Sequence, residues 1–170
     1  MRNIILILLL TPVFSFAQTS TVYIKLTDAS GQLIKGEAIA KGFERTIQAG
    51  STSAAGKNNT QFSFTSTVSG ASADIKKAMA TGQLLATAEV IAVIPNGMGA
   101  PQLSYTIKME QVSVLSCTES MGCNGIMNTV VSLQATRIGW TYYTQNRSGA
   151  VAVSRKFGWD TAANAEWNNF

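Results

Sequence analysis

The chain has 170 residues, with 13 Lys and Arg, 9 Asp and Glu, no histidine, and a formal net charge of +4. The basic residues are spread along the sequence without a run, so the concentrated basic patch of a nucleic-acid-binding protein is missing. Histidine is the commonest metal ligand and general base. The lack of a basic patch leads us to expect no nucleic-acid partner. The lack of histidine leads us to expect no metal and no cofactor.

The first 17 residues have the layout of a secretory signal peptide. Arg2 provides the positive charge, Ile4–Leu10 is an unbroken apolar run, and small residues precede a cleavage site after Ala17. The apolar run is much shorter than the ~20 residues of a membrane-spanning helix. A buried N-terminal strand or helix is the alternative. We predict a signal peptide over residues 1–17, one domain over residues 18–170, and no membrane association after cleavage.

Alternating apolar residues predict three strands in the first part of the domain: Thr21–Thr27, Glu37–Arg45 and Gln61–Val68. Between the last two lies Ile47–Thr60, which is rich in Gly, Ser, Ala and Asn and shows no periodicity. Loops of this length are uncommon in compact domains and are usually functional or mobile. This segment is therefore predicted to be a long functional loop.

One short helix is predicted over Ser72–Thr81. Ser72 is a suitable N-cap, Ile75 and Met79 form an apolar i, i+4 pair, and Gly82 provides a C-terminal stop. A helix this short is marginal by itself, so we expect it to pack on a sheet.

Further strands are predicted after the helix, at Gln83–Pro95, Pro101–Cys117, Asn128–Gln145 and Ala150–Trp159. Gln83–Pro95 is apolar on both faces, which predicts that both are covered, one of them by another subunit. The apolar positions change parity past Glu110, as at a β-bulge or a bend, and again near Arg137. Regularly spaced strands with turns between them indicate a mainly β sandwich or barrel.

Cys117 and Cys123 lie close together in the sequence. In an exported chain such a pair indicates a disulfide. A metal site would lack two ligands of a tetrahedral set. Two free thiols are the remaining alternative.

No nucleophile elbow, phosphate loop or zinc motif is present. Asp160 and Glu166 are close in sequence, and a hydrolase using them is one hypothesis. Solvated or turn-capping carboxylates explain them more simply. We therefore expect a protein that is not an enzyme.

The end of the chain carries a strand followed by Gly158-Trp159-Asp160, with Asn164 shortly after. This arrangement resembles the C-terminal signature of the haemolysin-coregulated protein family (Hcp), the inner-tube proteins of type VI secretion systems. Trp159 and a second tryptophan, Trp167, are expected to anchor packing within the barrel or between subunits. The alternative is that Trp159 is an ordinary core residue and Trp167 belongs to a frayed end.

The resemblance extends upstream. An apolar strand before the Lys35-Gly36-Glu37 turn is similar to the opening of the family, and the later strands and the helix follow in the family's order. The resemblance covers nearly all of Thr21–Trp167.

Membership of this family implies two β-sheets closed into a barrel-like core with one helix beside it. It also implies homohexameric rings that stack into a hollow tube. A loop between early strands extends to a neighbouring ring in the family, and the matching positions here are Gly50, Ser51, Ala54 and Gly56.

The chain departs from the family in its predicted export signal, since tube subunits of type VI systems are assembled in the cytoplasm. We therefore expect an exported relative in the periplasm or outside the cell. Its expected function is to form homohexameric rings, able to stack and to carry a small secreted passenger protein. The alternative is a monomeric exported binding or effector domain that keeps the fold without assembling.

Overall fold

The computed structural model describes residues 20–54, 60–95, 101–122, 124–146 and 150–170. These ranges contain ten strands and one helix. In chain order they are β1 (Thr21–Thr27), β2 (Leu33–Ile34), β3 (Ile47–Ala49), β4 (Ser51–Ala54), β5 (Gln61–Thr67), α1 (Gly70–Thr81), β6 (Leu85–Ile94), β7 (Gln102–Met121), β8 (Met127–Gln145), β9 (Val151–Asp160) and β10 (Ala165–Glu166).

The strands form one antiparallel sheet in the order β10-β9-β8-β7-β6-β1-β2. β8 is long enough to have two neighbours on one edge. Its first half pairs with β5, from Thr67↔Asn128 to Gln61↔Gln134. Its second half pairs with β9. β9 therefore extends the sheet beyond the part that β5 covers.

The short strands β3 and β4 lead the sheet back on itself. β3 pairs with β1 and β4 pairs with β5. Only Gly50 separates them, and its N–H donates to the carbonyl of Thr65 at 2.7 Å. The result is the barrel-like, mainly β fold with one helix that the sequence predicted, built from one sheet where two were expected.

The prediction of a long loop over Ile47–Thr60 was wrong for residues 47–54. The side chains of β4 are small and exposed, so this segment has little apolar periodicity. Its strand structure comes instead from main-chain pairing, because backbone donors and acceptors at a closing edge need partners.

The core lies inside the barrel and is made of large apolar side chains with almost no exposure. Each stabilises the fold by about 1.5–3 kcal/mol relative to an exposed side chain. Its largest members are Phe62, Phe64, Ile24, Leu26, Ile75, Leu85, Ile107, Met109, Leu133 and Ile138.

The prediction of a strand over Glu37–Arg45 was also wrong, because this segment is irregular and folds into turns. Gly42 and Arg45 have φ of 86° and 62°, and this left-handed conformation breaks a strand. Phe43 stacks on Tyr23 with ring centroids 4.4 Å apart. Together they help to cover Val93 on the outer face of β6.

The outer face of β6 is thus covered around Val93, and by the same chain, whereas Thr87, Glu89 and Ile91 on that face remain partly exposed. The expected second subunit is not needed around Val93, which is 2% exposed.

The helix α1 begins two residues earlier than predicted. Ser69 is the N-cap, and Ser72 stands at the third helical position. The Ser72 hydroxyl accepts a hydrogen bond from the Ser69 N–H at 3.2 Å and lies 2.9 Å from the Thr129 hydroxyl. Gly82 ends the helix with φ of 66°, as predicted. Within the described ranges, no helix is long and apolar enough to cross a membrane.

The parity changes near Glu110 and Arg137 are confirmed, and of the two predicted causes the structure shows a bend and not a bulge. Glu110↔Arg137 and Val112↔Ala135 keep one register across the site. Gln111, between them, has φ of 52°, so both strands change their buried face together. The register shift of β7 against β8 comes later, between Val114 and Ser116.

Candidate assembly surfaces

The C-terminal signature lies where β9 turns into β10. Asp160 Oδ1 accepts hydrogen bonds from the N–H groups of Ala162 and Ala163, at 2.9 and 3.0 Å. Its other oxygen, Oδ2, accepts from Arg137 Nε at 2.6 Å. These bonds, led by the one from Ala163, lower the pKa of Asp160 below its ordinary value. Asn164 completes the turn with φ of 50°, a conformation that Asn tolerates better than most residues.

Gly158 allows the C-terminal tail to lie flat on the sheet. It pairs directly with Gly139 of β8, and the Phe170 ring covers this glycine pair. A Cβ on Gly139 would come within 2.5 Å of that ring. The Trp167 N–H donates to the Gly158 carbonyl at 3.0 Å. The glycine pair is therefore required for the close approach of the tail.

The two tryptophans of this segment have different surroundings. Trp167 is buried, and its ring lies 4.9 Å from that of Phe170. Trp159 is half-buried and pairs across the sheet with Ile138 and Glu166. Both therefore pack within their own chain in this structure. Asp160 and Glu166, the carboxylates of the hydrolase hypothesis, serve here in a turn and in the short strand β10.

The second signature segment has its own close approach. The Gly36 N–H donates to the carbonyl of Arg45 at 2.8 Å. A Cβ on Gly36 would lie 2.5 Å from the carbonyl carbon of Thr46, so a larger residue would force the two chain segments apart. Lys35 and Glu37 on either side are exposed.

Of the positions predicted to reach a neighbouring ring, Gly50 joins β3 to β4, and Ser51 and Ala54 are exposed on β4. Gly56 lies outside the described residues. The structure therefore shows the base of the predicted loop as part of the barrel wall.

An aromatic surface lies on the part of the sheet that β9 extends. Val90, Ile107, Trp140 and Phe157 are direct cross-strand partners in one row. Burial falls along this row, since Val90 and Ile107 belong to the core while Phe157 is 50% exposed. The core face of the barrel thus continues outwards as an uncovered face.

The next row on this face adds Tyr105 and Tyr142. Their ring centroids lie 5.5 Å apart, and those of Trp140 and Phe157 lie 5.8 Å apart. Partial burial raises the pKa of Tyr105 to about 12, so this hydroxyl stays neutral. We call these residues, Tyr105, Trp140, Tyr142 and Phe157, the β9 face.

The edge of β9 beside this face is also open. β10 covers it only at Trp159 and Asp160. Over Val151–Lys156, no strand among the described residues pairs with this edge. Val151 and Val153 are exposed there, at 39% and 57%. Exposed strand edges with apolar side chains readily pair with another chain.

The predicted disulfide is not confirmed. Cys117 is a buried free cysteine in β7, and Cys123 lies outside the described residues. β7 remains extended from Cys117 to Met121.

The model of the type VI secretion system effector Hcp family matches residues 23–142. The chain belongs to the Hcp family. Solved Hcp structures superpose on more than four fifths of the chain and have the same fold.

A structure described as a type six secretion system protein superposes with a TM-score of 0.74 at 20% identity, covering 88% of this chain and 100% of the other. Hcp1 from Salmonella typhimurium gives 0.69 at 18% identity, with the same coverage. An Hcp1 mutant from E. coli EAEC 042 gives 0.64 at 23% identity, covering 83% and 99%. At these identities the likeness shows the fold alone. No curated protein matches the chain.

Proposed function

We propose that this Hcp protein is exported, loses residues 1–17, and assembles as homohexameric rings in the periplasm or outside the cell. The rings stack and hold a small secreted passenger protein in their lumen. The role is structural, with no catalytic step. Membership of the Hcp family supports this role. The strand edge of β9, which β10 pairs with only at Trp159 and Asp160, also supports it.

The observation that carries the proposal is the β9 face together with the open edge of β9. A lone molecule would leave these aromatic rings in water beside unpaired backbone groups. A second copy would cover both at once. When each copy binds the next through two different surfaces, the copies form a ring if the rotation between neighbours adds up to a full turn.

Light scattering after size-exclusion chromatography of the exported protein tests this proposal. We expect a mass close to six copies. Phe157→Glu should shift the protein to monomers, because it places a charge at the exposed end of the β9 face, beside the open edge of β9. Leu84→Glu is the matched control, since Leu84 is 48% exposed and lies outside that face, and it should leave the mass unchanged.

A wild-type protein that stays monomeric over a wide concentration range would contradict ring assembly. It would favour the monomeric exported binding or effector domain. Equal disruption by both variants would show that the β9 face has no special role.

Export is tested separately by the intact mass of the protein recovered from the periplasm or the medium. Cleavage after Ala17 predicts a chain that begins at Gln18. A full-length chain retained in the cytoplasm would contradict the proposed export.

A further inference from the structure

A cavity opens in the barrel wall where β3 and β5 separate. The two strands are joined at Gly50 and Thr65. Beyond this point β3 turns to pair with β1, while β5 continues along β8. The gap between them has a volume of about 460 Å³, within the range of ligand pockets in proteins. We call it the β3–β5 cleft.

The wall of the cleft on the β5 side is a strand edge without a partner. The Val68 N–H donates to the Met127 carbonyl of β8 at 3.1 Å, and the Thr65 carbonyl faces Gly50 on the opposite side. Successive residues of a strand face opposite edges. The N–H and C=O of Thr67 therefore point away from β8 and into the cleft, where no described strand pairs with them.

A buried hydroxyl also faces the cleft. Ser66 lines it and is only 8% exposed. Its hydroxyl makes no hydrogen bond to any other described residue, whereas Ser63 on the same strand pairs with the Ser132 hydroxyl at 2.9 Å. No side-chain polar atom of the described residues is both fully buried and unpaired, so the Ser66 hydroxyl is open to the cleft. It is therefore available to a polar ligand atom.

The remaining lining defines the class of ligand. Among the described residues that line the cleft, none is aromatic and none is basic, which disfavours stacked sugars and anions. Glu37 is the charged lining residue, and it is exposed at the mouth. Main-chain donors and acceptors along one strand edge suit another main chain.

We propose that the β3–β5 cleft binds an extended peptide by strand addition to β5. The peptide would run antiparallel to β5, in line with β4, so its N-terminus lies at the mouth beside Glu37. A basic first residue or a free amino group pairs with the Glu37 carboxylate, and a small residue faces Ser66. The cleft lies within one chain, so the proposal does not depend on ring assembly.

The test uses isotope-labelled protein and the synthetic peptide Lys-Thr-Val-Thr-Ala-amide with a free amino terminus. We expect saturable shifts of the Thr67 amide resonance, with a dissociation constant below about 1 mM, and slower hydrogen exchange at Thr67. Acetyl-Glu-Thr-Val-Thr-Ala-amide should bind more weakly. Glu37→Gln should weaken the basic peptide by about fivefold, as for an exposed charge pair.

Thr67→Pro removes the N–H that faces the cleft and leaves the pairing of β5 with β8 intact, so binding should be lost while the fold is retained. Ser63→Val, on the same strand but outside the cleft lining, is the matched control and should bind normally. Equal binding by wild type and Thr67→Pro, or no shift at Thr67 with millimolar peptide, would overturn the proposal. Light scattering of the same samples reports ring assembly independently.

Discussion

The two halves of β8 have similar apolar alternation but different surroundings. In the first half, Thr129, Val131 and Leu133 have no exposed surface, because β5 closes the barrel there and α1 packs on it through Ser72. In the second half, Trp140 and Tyr142 lie between β7 and β9, and no further layer of described residues lies above them. The alternation therefore defines which face is apolar. Only the tertiary structure shows whether another layer covers that face.

Truncating a side chain to Ala should give the largest difference between the two halves of β8 in the free energy of unfolding. Leu133→Ala should lower the free energy of unfolding by about 2–5 kcal/mol, because it leaves a cavity in a closed core. Tyr142→Ala should change the free energy by about 0.5 kcal/mol or less, as for other exposed sites. Urea unfolding at high dilution measures both. Equal losses would show that the second half is as well packed as the first.

The next largest change in the free energy of unfolding is expected where the C-terminal tail packs on Gly139 and Gly158. Gly158→Ala should lower the free energy of unfolding by about 1–3 kcal/mol through overpacking against Trp167 and Phe170. Near-ultraviolet circular dichroism should show the Trp167 ring displaced. Gly70→Ala is the control, since nothing lies within 4 Å of a Cβ added there. A neutral Gly158→Ala would mean that the tail does not need this close approach.

The lowered pKa of Asp160 predicts that the free energy of unfolding depends on pH differently in wild type and in Asp160→Asn. Its pKa is below the ordinary value in the folded state. The stability that it contributes is therefore fully present above about pH 5 and is lost as the pH falls through the lowered pKa. Unfolding free energies measured from pH 6 to pH 2 should fall more steeply in wild type than in Asp160→Asn. Parallel curves would contradict the lowered pKa of Asp160, which the hydrogen bonds from Ala163 and Arg137 cause.

The smallest expected effect concerns reactivity rather than stability. Burial raises the pKa of the Cys117 thiol, which keeps the reactive thiolate scarce at neutral pH. Iodoacetamide without reductant should label Cys117 slowly in the folded protein and rapidly in urea, as followed by peptide mass spectrometry. If Cys117 in the unfolded, unreduced protein is labelled only after a reductant is added, it is not the free thiol described here.

The strands with strong apolar alternation could be predicted from the sequence almost residue by residue. β1 matches its prediction at both ends, β5 differs by one residue, and β8 begins one residue early. Gly82 also ends α1 as predicted. In these segments the local pattern and the tertiary environment agree.

The weakly patterned segments were predicted poorly. β3 and β4 were predicted as part of a loop because their pairing is made by the backbone. Glu37–Arg45 was predicted as a strand, although left-handed residues bend it over Tyr23. The family was predicted correctly from the sequence, but the structural roles of the residues that suggested it were not. Gly158 makes room for Phe170, and Asp160 holds a turn, through contacts with residues distant in the chain.

By itself, the sequence determined the mainly β class, the placement of its strongest strands and the family, because alternation and turn residues act over a few neighbours. The tertiary structure decided which apolar faces are closed and which remain open. It also created the cleft between β3 and β5. Both depend on how distant strands meet, and on where β3 leaves β5 to pair with β1.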